Sequence, residues 1–87
     1  MNYFVYILYS EKLDMHYIGQ TYNLNKRLLR HNAGYEKFTK KGIPWKLITS
    51  VKLESRSEAM KLEKKLKNFK SNKLLYDWIK EVAGSEK

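Results

Sequence analysis

The feature that most constrains the fold is a continuous apolar run near the start of the chain, from Tyr3 to Tyr9. Aromatic and β-branched side chains fill both alternating sets of positions in this run, so neither face of a strand here is polar. Such a strand has to be covered on both sides. The run therefore predicts a central β-strand, and it is far shorter than the roughly 18 residues of a membrane helix.

Periodicity and turn residues predict two further elements in the first half of the chain. A strand at 15–19 follows a polar loop and forms a hairpin with the first strand. Asn23 is a helix-capping residue ahead of an apolar-periodic segment, and Gly34 is a typical helix stop. A basic loop follows at 35–44.

The second half of the chain is predicted to contain a strand and two helices. Apolar and polar residues alternate from Trp45 to Leu53, which indicates a strand with one face open to solvent. A capping box at 55–58 precedes a helix that extends to about Phe69, and Ser71 begins the last helix. The element order is β-β-α-β-α-α, which places the chain in the α+β class.

The chain of 87 residues is too short for two hydrophobic cores, because small domains already bury a limited share of their surface. We expect a single domain over residues 1–83, followed by a frayed tail at 84–87. No basic segment precedes the first apolar run as in a signal peptide, so we expect a cytoplasmic protein with no membrane partner.

Charge points to a polyanion as the partner. Lys and Arg total 18 against 9 Asp and Glu, for a net charge of +9, and the first twenty residues contribute one of the basic residues. A small domain with this charge is suited to nucleic acid. The sequence has no cysteine, which excludes disulfides and thiolate zinc sites, and His16 and His31 are its two histidines.

Glu63 occupies an unusual place on its predicted helix. The apolar stripe of that helix runs through Ala59, Leu62, Leu66 and Phe69. At about 100° per residue, Glu63 falls at the rim of this stripe and not on the solvent face. Its carboxylate is thus a candidate functional group, and the alternative is an ordinary ion pair with Lys67 four residues later.

Arg27 and His31 are also four residues apart, so they share one face of the first predicted helix beside its apolar stripe. They can act on one target, or they can belong to a basic helix whose final turn favours a cation. His16 alternates with Tyr17 and is expected on the opposite face of its strand, as a lone surface histidine.

Two tyrosines are expected side by side in the hairpin. Ten residues, which include a loop, separate Tyr6 from Tyr17, so an antiparallel pair can place both rings on one face. Gly19 lies on that same face and leaves a place where a ligand or backbone can approach. The alternative is that both rings simply belong to the core.

Taken in order, these residues resemble the GIY-YIG nuclease family, which includes homing endonucleases, restriction enzymes and the N-terminal nuclease domain of a bacterial excision-repair protein. Tyr17-Ile18-Gly19 is the intact second half of the naming motif, and Phe4-Val5-Tyr6 keeps the tyrosine of the first half. Arg27, His31 and Glu63 match the family's arginine, its His or Tyr position and its metal-binding glutamate. Asn72 is a poor match to the family's asparagine. In its length the chain is similar to the family's small stand-alone, uncharacterised proteins.

The resemblance implies a three-stranded antiparallel sheet flanked by helices and a metal-dependent DNA endonuclease, in a context such as DNA repair. Glu63 is suited to hold one magnesium or manganese ion, because hard cations accept a single carboxylate and keep several waters. Arg27 suits the scissile phosphate, and Tyr17 would position the water or a phosphate oxygen. The general base is either Tyr6 or His31, and if it is His31, Tyr6 acts as a relay for the proton.

The basic loop contains Lys37, Lys40 and Lys41 interleaved with Tyr35 and Phe38. Such a loop can contact phosphates and stack on bases that are not paired, or its lysines can serve only solubility. No base-reading element is recognisable, so cutting is expected to be structure-directed or weakly specific, with specificity otherwise supplied by a partner protein. Two alternatives to the nuclease stay open: a non-catalytic nucleic-acid-binding module on the same fold, and a small structural basic protein.

Overall fold

A computed structural model of the chain describes residues 2–85. The strands and helices are β1 (Tyr3–Ser10), β2 (Met15–Thr21), α1 (Leu24–Ala33), β3 (Trp45–Leu53), α2 (Arg56–Lys67) and α3 (Asn72–Ser85), with a short 3-10 turn at Lys40–Gly42 between α1 and β3. This order confirms the α+β arrangement that the sequence predicted.

The apolar run forms the central strand of an antiparallel sheet with the order β2-β1-β3. On one face, Val5 and Ile7 are buried beneath α2 and α3, whose contribution to this core includes Ala59, Leu66 and Leu75. On the other face, Tyr6 and Leu8 pack with Trp45 and with Leu24 and Leu28 of α1. The helices thus cover both faces of β1, as its all-apolar sequence requires.

The prediction that β3 keeps a single apolar face is wrong, because the strand changes face at a bulge. Ile7 pairs with Thr49, whereas the next residue of β1, Leu8, pairs with Leu47. The skipped residue is Ile48, and an extra residue of this kind reverses the alternation of side chains. Trp45 therefore packs on the α1 side, while Leu53 packs on the α2 side.

The helix ends follow the capping residues of the sequence closely. Asn23 accepts a hydrogen bond from the backbone N–H of Lys26, and Gly34 ends α1 with a φ of 83°, a conformation that favours glycine. Ser55 caps α2 by accepting from the N–H of Glu58. This helix ends at Lys67, earlier than predicted, and the N–H of Phe69 bonds to the Leu66 carbonyl three residues back and not to the carbonyl four residues back.

The last helix continues to Ser85, so the tail expected from Gly84 begins within helical backbone. The last two positions of the expected tail, 86 and 87, lie outside the described residues. None of the helices within residues 2–85 is long and apolar enough to cross a membrane.

Candidate active site

The side chain of Tyr6 lies against the backbone of the neighbouring strand at Gly19. Tyr6 in β1 lies directly opposite Gly19 in β2. A Cβ atom at Gly19 would lie 2.6 Å from the Tyr6 hydroxyl oxygen and 3.1 Å from Cε2 of Tyr17. The ring of Tyr6 therefore extends across β2 in space that any other residue would fill. Because β2 is an edge strand, this packing takes the phenol from the sheet centre to the sheet edge.

A buried hydrogen-bond chain begins at that phenol. The Tyr6 hydroxyl lies 3.0 Å from Nε2 of His31, and Nδ1 of His31 lies 2.8 Å from the Thr39 hydroxyl. The Thr39 hydroxyl donates to the Glu36 carbonyl at 3.5 Å, which leaves its oxygen free to accept from Nδ1. This arrangement assigns the proton of the neutral imidazole to Nδ1, so Nε2 accepts the proton of the Tyr6 phenol.

Burial keeps both partners of this bond neutral. Tyr6 and His31 are each 1% exposed. Burial raises the pKa of Tyr6 above its ordinary value of 10.0, the nearby Tyr17 adds to the rise, and the Arg27 guanidinium opposes it. Burial likewise lowers the pKa of His31 below 6.5, with Glu36 opposing and Arg27 and Arg30 adding to the shift. Arg27 by itself would lower the pKa of Tyr6, but desolvation outweighs that effect.

Tyr17 and Arg27 lie at the more accessible side of the same cluster. The Tyr17 ring is half-buried, with its centroid 6.3 Å from that of Tyr6 and 5.0 Å from that of His31. Arg27 is half-buried on α1 and lies close enough to Tyr6 to affect its pKa. The structure thus brings Tyr6, Tyr17, Arg27 and His31 together on the α1 side of the sheet.

Glu63 approaches the same strand from the other side. Its helix α2 packs on the opposite face of the sheet, and Oε1 of Glu63 accepts a 2.9 Å hydrogen bond from the side chain of Gln20. Gly19 and Gln20 are adjacent in β2, so their side-chain positions lie on opposite faces of the sheet. The Tyr6 phenol and the Glu63 carboxylate therefore lie on either side of one edge-strand peptide, and the charge of Glu63 contributes to the raised pKa of Tyr6.

The carboxylate of Glu63 also forms the ion pair with Lys67 that the spacing of four residues predicts as an alternative. Nζ of Lys67 lies 2.6 Å from Oε2, and the Glu63 side chain is 19% exposed. Among the described residues, no group of three or more His, Cys, Asp or Glu side chains is positioned to hold a metal ion. A metal ion held by Glu63 would therefore need further oxygen ligands that are not carboxylates of such a group.

Two open clefts flank Gly19 along β2. One, of about 620 Å³, is lined by Tyr3, Gln20, Thr21, Tyr22, Arg27 and Arg56. The other, of about 460 Å³, is lined by His16, Tyr17, Ile18, Phe38 and Lys67. We call the two clefts together the β2 groove. Its lining includes three basic side chains and no acidic one, so it is complementary to a polyanion.

The remaining predicted residues divide between different places. Lys37 and Lys41 line an apolar pocket next to the β2 groove, whereas the stem of Lys40 lies beside Gly34 at the end of α1. Asn72 begins α3 and lines another cleft, of about 290 Å³, whose lining includes none of the residues matched to the family's catalytic positions.

The environments of three polar residues, His16, Gln20 and Thr39, were not predicted from the sequence. His16 is half-buried and contacts the Tyr76 hydroxyl at 2.7 Å, so it is not a lone surface histidine, although it does face away from Tyr17. Gln20 and Thr39 were missed. Gln20 could have been found by its alternation with Gly19, but Thr39 lies in an irregular loop where no periodicity indicates the direction of a side chain.

Comparison with known proteins gives a consistent result. The model of the GIY-YIG catalytic domain matches residues 2–75. UPF0213 protein YsiG of Lactococcus lactis subsp. lactis is 42% identical over 70% of this chain, and the match spans 59% of YsiG. A UPF0213 protein of L. lactis subsp. cremoris is 32% identical, over 97% of this chain and 96% of its own length.

A solved structure shares the fold. The solution NMR structure of UPF0213 protein BH0048 from Bacillus halodurans superimposes with a TM-score of 0.54 at 31% identity. The match covers 100% of this chain and 86% of that protein. It supports the three-stranded sheet with its flanking helices.

Substitution of Gly19 tests the close approach of Tyr6. In Gly19→Ala the new methyl group would overlap the Tyr6 ring, so we expect a loss of about 1–3 kcal/mol in the free energy of unfolding, measured by chemical denaturation. In a Tyr6→Leu background, which lacks the aromatic ring, Gly19→Ala should lower the free energy of unfolding much less. An equal cost in both backgrounds would contradict the contact.

The lowered pKa of His31 predicts a pH-dependent stability. Because unfolded His31 binds a proton near pH 6.5 and the folded group does so only at lower pH, its contribution is complete above pH 6.5 and is lost as the pH falls through the folded pKa. We expect His31→Gln to reduce the slope of unfolding free energy against pH below 6.5, leaving the part due to His16, whose pKa burial also lowers. An unchanged slope would contradict a neutral, buried His31.

Proposed function

Because the chain belongs to the GIY-YIG catalytic-domain family, we propose that it is a divalent-metal-dependent endonuclease that hydrolyses DNA phosphodiester bonds in the β2 groove. The family membership gives the protein a nuclease-type fold. The observation that supports catalysis is the meeting of a phenol, an imidazole, a guanidinium and a carboxylate at the Gly19–Gln20 edge of β2. Each of these groups has a role in phosphodiester hydrolysis.

Arg27 is proposed to bind the scissile phosphate. It connects the phenol cluster to the larger cleft of the groove, since it affects the pKa of Tyr6 and lines that cleft. A guanidinium remains charged at every working pH and binds phosphate oxygens in pairs. Arg27 would therefore stabilise the negative charge that grows on the phosphoryl oxygens in the transition state.

The proton of the attacking water is proposed to leave through Tyr6 to His31. A phenol with a raised pKa is protonated at neutral pH, so Tyr6 is not a phenolate before the reaction begins. With the imidazole proton assigned to Nδ1 by the contacts of Thr39, the proton of Tyr6 is directed at Nε2. As Tyr6 accepts a proton from water it can pass its own to His31, while Thr39 holds the ring in the required orientation. Tyr17, the more exposed phenol, would position the water or a phosphate oxygen.

Glu63 is the side chain suited to hold the metal. Its carboxylate supplies hard oxygen at a partly exposed rim, which fits a magnesium or manganese ion that keeps several waters and shares the substrate phosphate. When bound, such an ion would neutralise phosphate charge and assist departure of the leaving oxygen. Gln20 holds Oε1 and so orients the carboxylate, while Lys67 holds Oε2 and would have to release it.

A second candidate is a non-catalytic nucleic-acid-binding module on the same fold, acting in the cytoplasm with specificity supplied by a protein partner. The observation that favours it is the ion pair of Glu63 with Lys67, because an ammonium group then occupies the place of the metal ion. Both candidates use the same basic groove. Only the first requires Glu63 to be free for a metal.

Neutralising Glu63 separates the two candidates. With the wild-type protein cutting plasmid DNA in Mg²⁺ or Mn²⁺, we expect Glu63→Gln to lower the rate by about a hundredfold or more and to change DNA binding by only a few-fold. Glu58→Gln, at the exposed start of the same helix, is the matched control and should cut normally. Wild-type protein that binds DNA but cuts no substrate with either metal would favour the binding module.

Removing Lys67 tests whether it competes with the metal. In Lys67→Met the Oε2 atom of Glu63 is released, so half-maximal cutting should require several-fold less Mn²⁺ than in the wild type. Lys64→Met removes the same charge from the exposed side of α2 and should leave the Mn²⁺ requirement unchanged. If Lys67→Met instead raises the requirement, Lys67 assists binding of the substrate or the metal and does not compete.

A further inference from the structure

We propose that the apolar pocket next to the β2 groove binds one nucleobase that is not paired, beside the phosphate that is cut. This inference rests on the proposed function, which it extends to a substrate class: DNA with a single-stranded or unstacked nucleotide at the cleavage site. We call it the Phe38 pocket. It has a volume of about 390 Å³ and is lined by Leu13, Met15, His16, Lys37, Phe38, Lys41 and Trp45.

The pocket opens directly beside the candidate active site. Phe38 lines both the pocket and the Tyr17 cleft of the β2 groove. Its ring centroid lies 6.1 Å from that of Tyr17, and the Tyr17 centroid lies 6.2 Å from that of Trp45. A nucleotide whose phosphate lies in the groove can thus place its base against Phe38 without a change of fold.

The pocket combines an exposed ring with a fixed support. Phe38 is 72% exposed, while Trp45 in the same lining is 4% exposed. The indole N–H of Trp45 donates to the Thr39 carbonyl at 2.6 Å, and the Thr39 hydroxyl contacts His31. The residue after Phe38 is therefore held by two buried bonds, so the exposed ring is presented from a defined position at a low entropic cost of binding.

Its surface chemistry matches a nucleotide more closely than a protein side chain. Phe38, Met15 and Leu13 form exposed apolar surface, which suits the face of a base. Lys37 and Lys41 are the charged side chains of the lining, and it includes no acidic residue, as expected where phosphates flank the base. In an intact duplex the base is stacked and paired, so only an unpaired or flipped base can enter.

Binding measurements without metal test the pocket separately from cutting. The probes are a short oligothymidylate, a strand of equal length made of abasic sites, and a duplex of equal length, each followed by fluorescence anisotropy in EDTA. We expect Phe38→Ala to weaken oligothymidylate binding about tenfold, because one stacking contact is lost. Binding of the abasic strand and the duplex should stay within about twofold.

Further variants control for folding and for charge. Phe38→Trp keeps an aromatic face and should retain oligothymidylate binding. Lys40→Ala, and separately Lys37→Ala with Lys41→Ala, remove positive charge and keep the Phe38 ring, so each should weaken all three probes, because all three carry phosphates.

Two results would overturn the proposal that the Phe38 pocket binds a base: a Phe38→Ala variant that binds oligothymidylate as well as the wild type, or one that binds all three probes equally more weakly. The apolar surface would then be assigned to a protein partner. A wild-type protein that shows the expected binding pattern yet never cuts DNA would overturn the proposed endonuclease and not the pocket.

Discussion

The Tyr6 phenol crosses edge strand β2 at Gly19, the position in that strand that has no side chain. The rest of the site depends on this contact. It brings a residue of the central strand to the edge of the sheet, where it donates to Nε2 of His31. The same peptide of β2 then continues to Gln20, which holds Glu63 on the far side. A site with components from both faces of a sheet can form only at such an edge.

Burial gives this contact its chemical character. Desolvation keeps Tyr6 protonated and His31 neutral in the resting protein, so Nε2 of the imidazole is free to accept a proton during the reaction. The charged groups, Arg27, Glu63 and Lys67, lie around the accessible margin where phosphate can reach them. The protein thereby avoids the cost of a buried uncompensated ion and keeps cationic side chains along the groove.

Much of the fold could be predicted from local signals. The apolar run requires a covered strand, and Asn23, Gly34 and Ser55 mark helix ends by their own hydrogen-bonding and backbone preferences. The face change in β3 could not be predicted, because the bulge at Ile48 arises from pairing with β1 and has no distinct local signal. Likewise, spacing placed Arg27 with His31 and Tyr6 with Tyr17, but nothing in the sequence indicates that Thr39 orients His31. That contact joins a helix to an irregular loop.

Single-turnover cleavage of DNA by a Tyr6→Phe variant tests the central claim most directly, because this substitution removes one oxygen atom and keeps the ring over Gly19. With Mn²⁺ present, the account predicts cleavage slower by about a hundredfold or more, in line with the usual contribution of proton transfer, while DNA binding stays within about twofold. Cleavage at the wild-type rate would show that the Tyr6 hydroxyl and its bond to His31 take no part in the reaction.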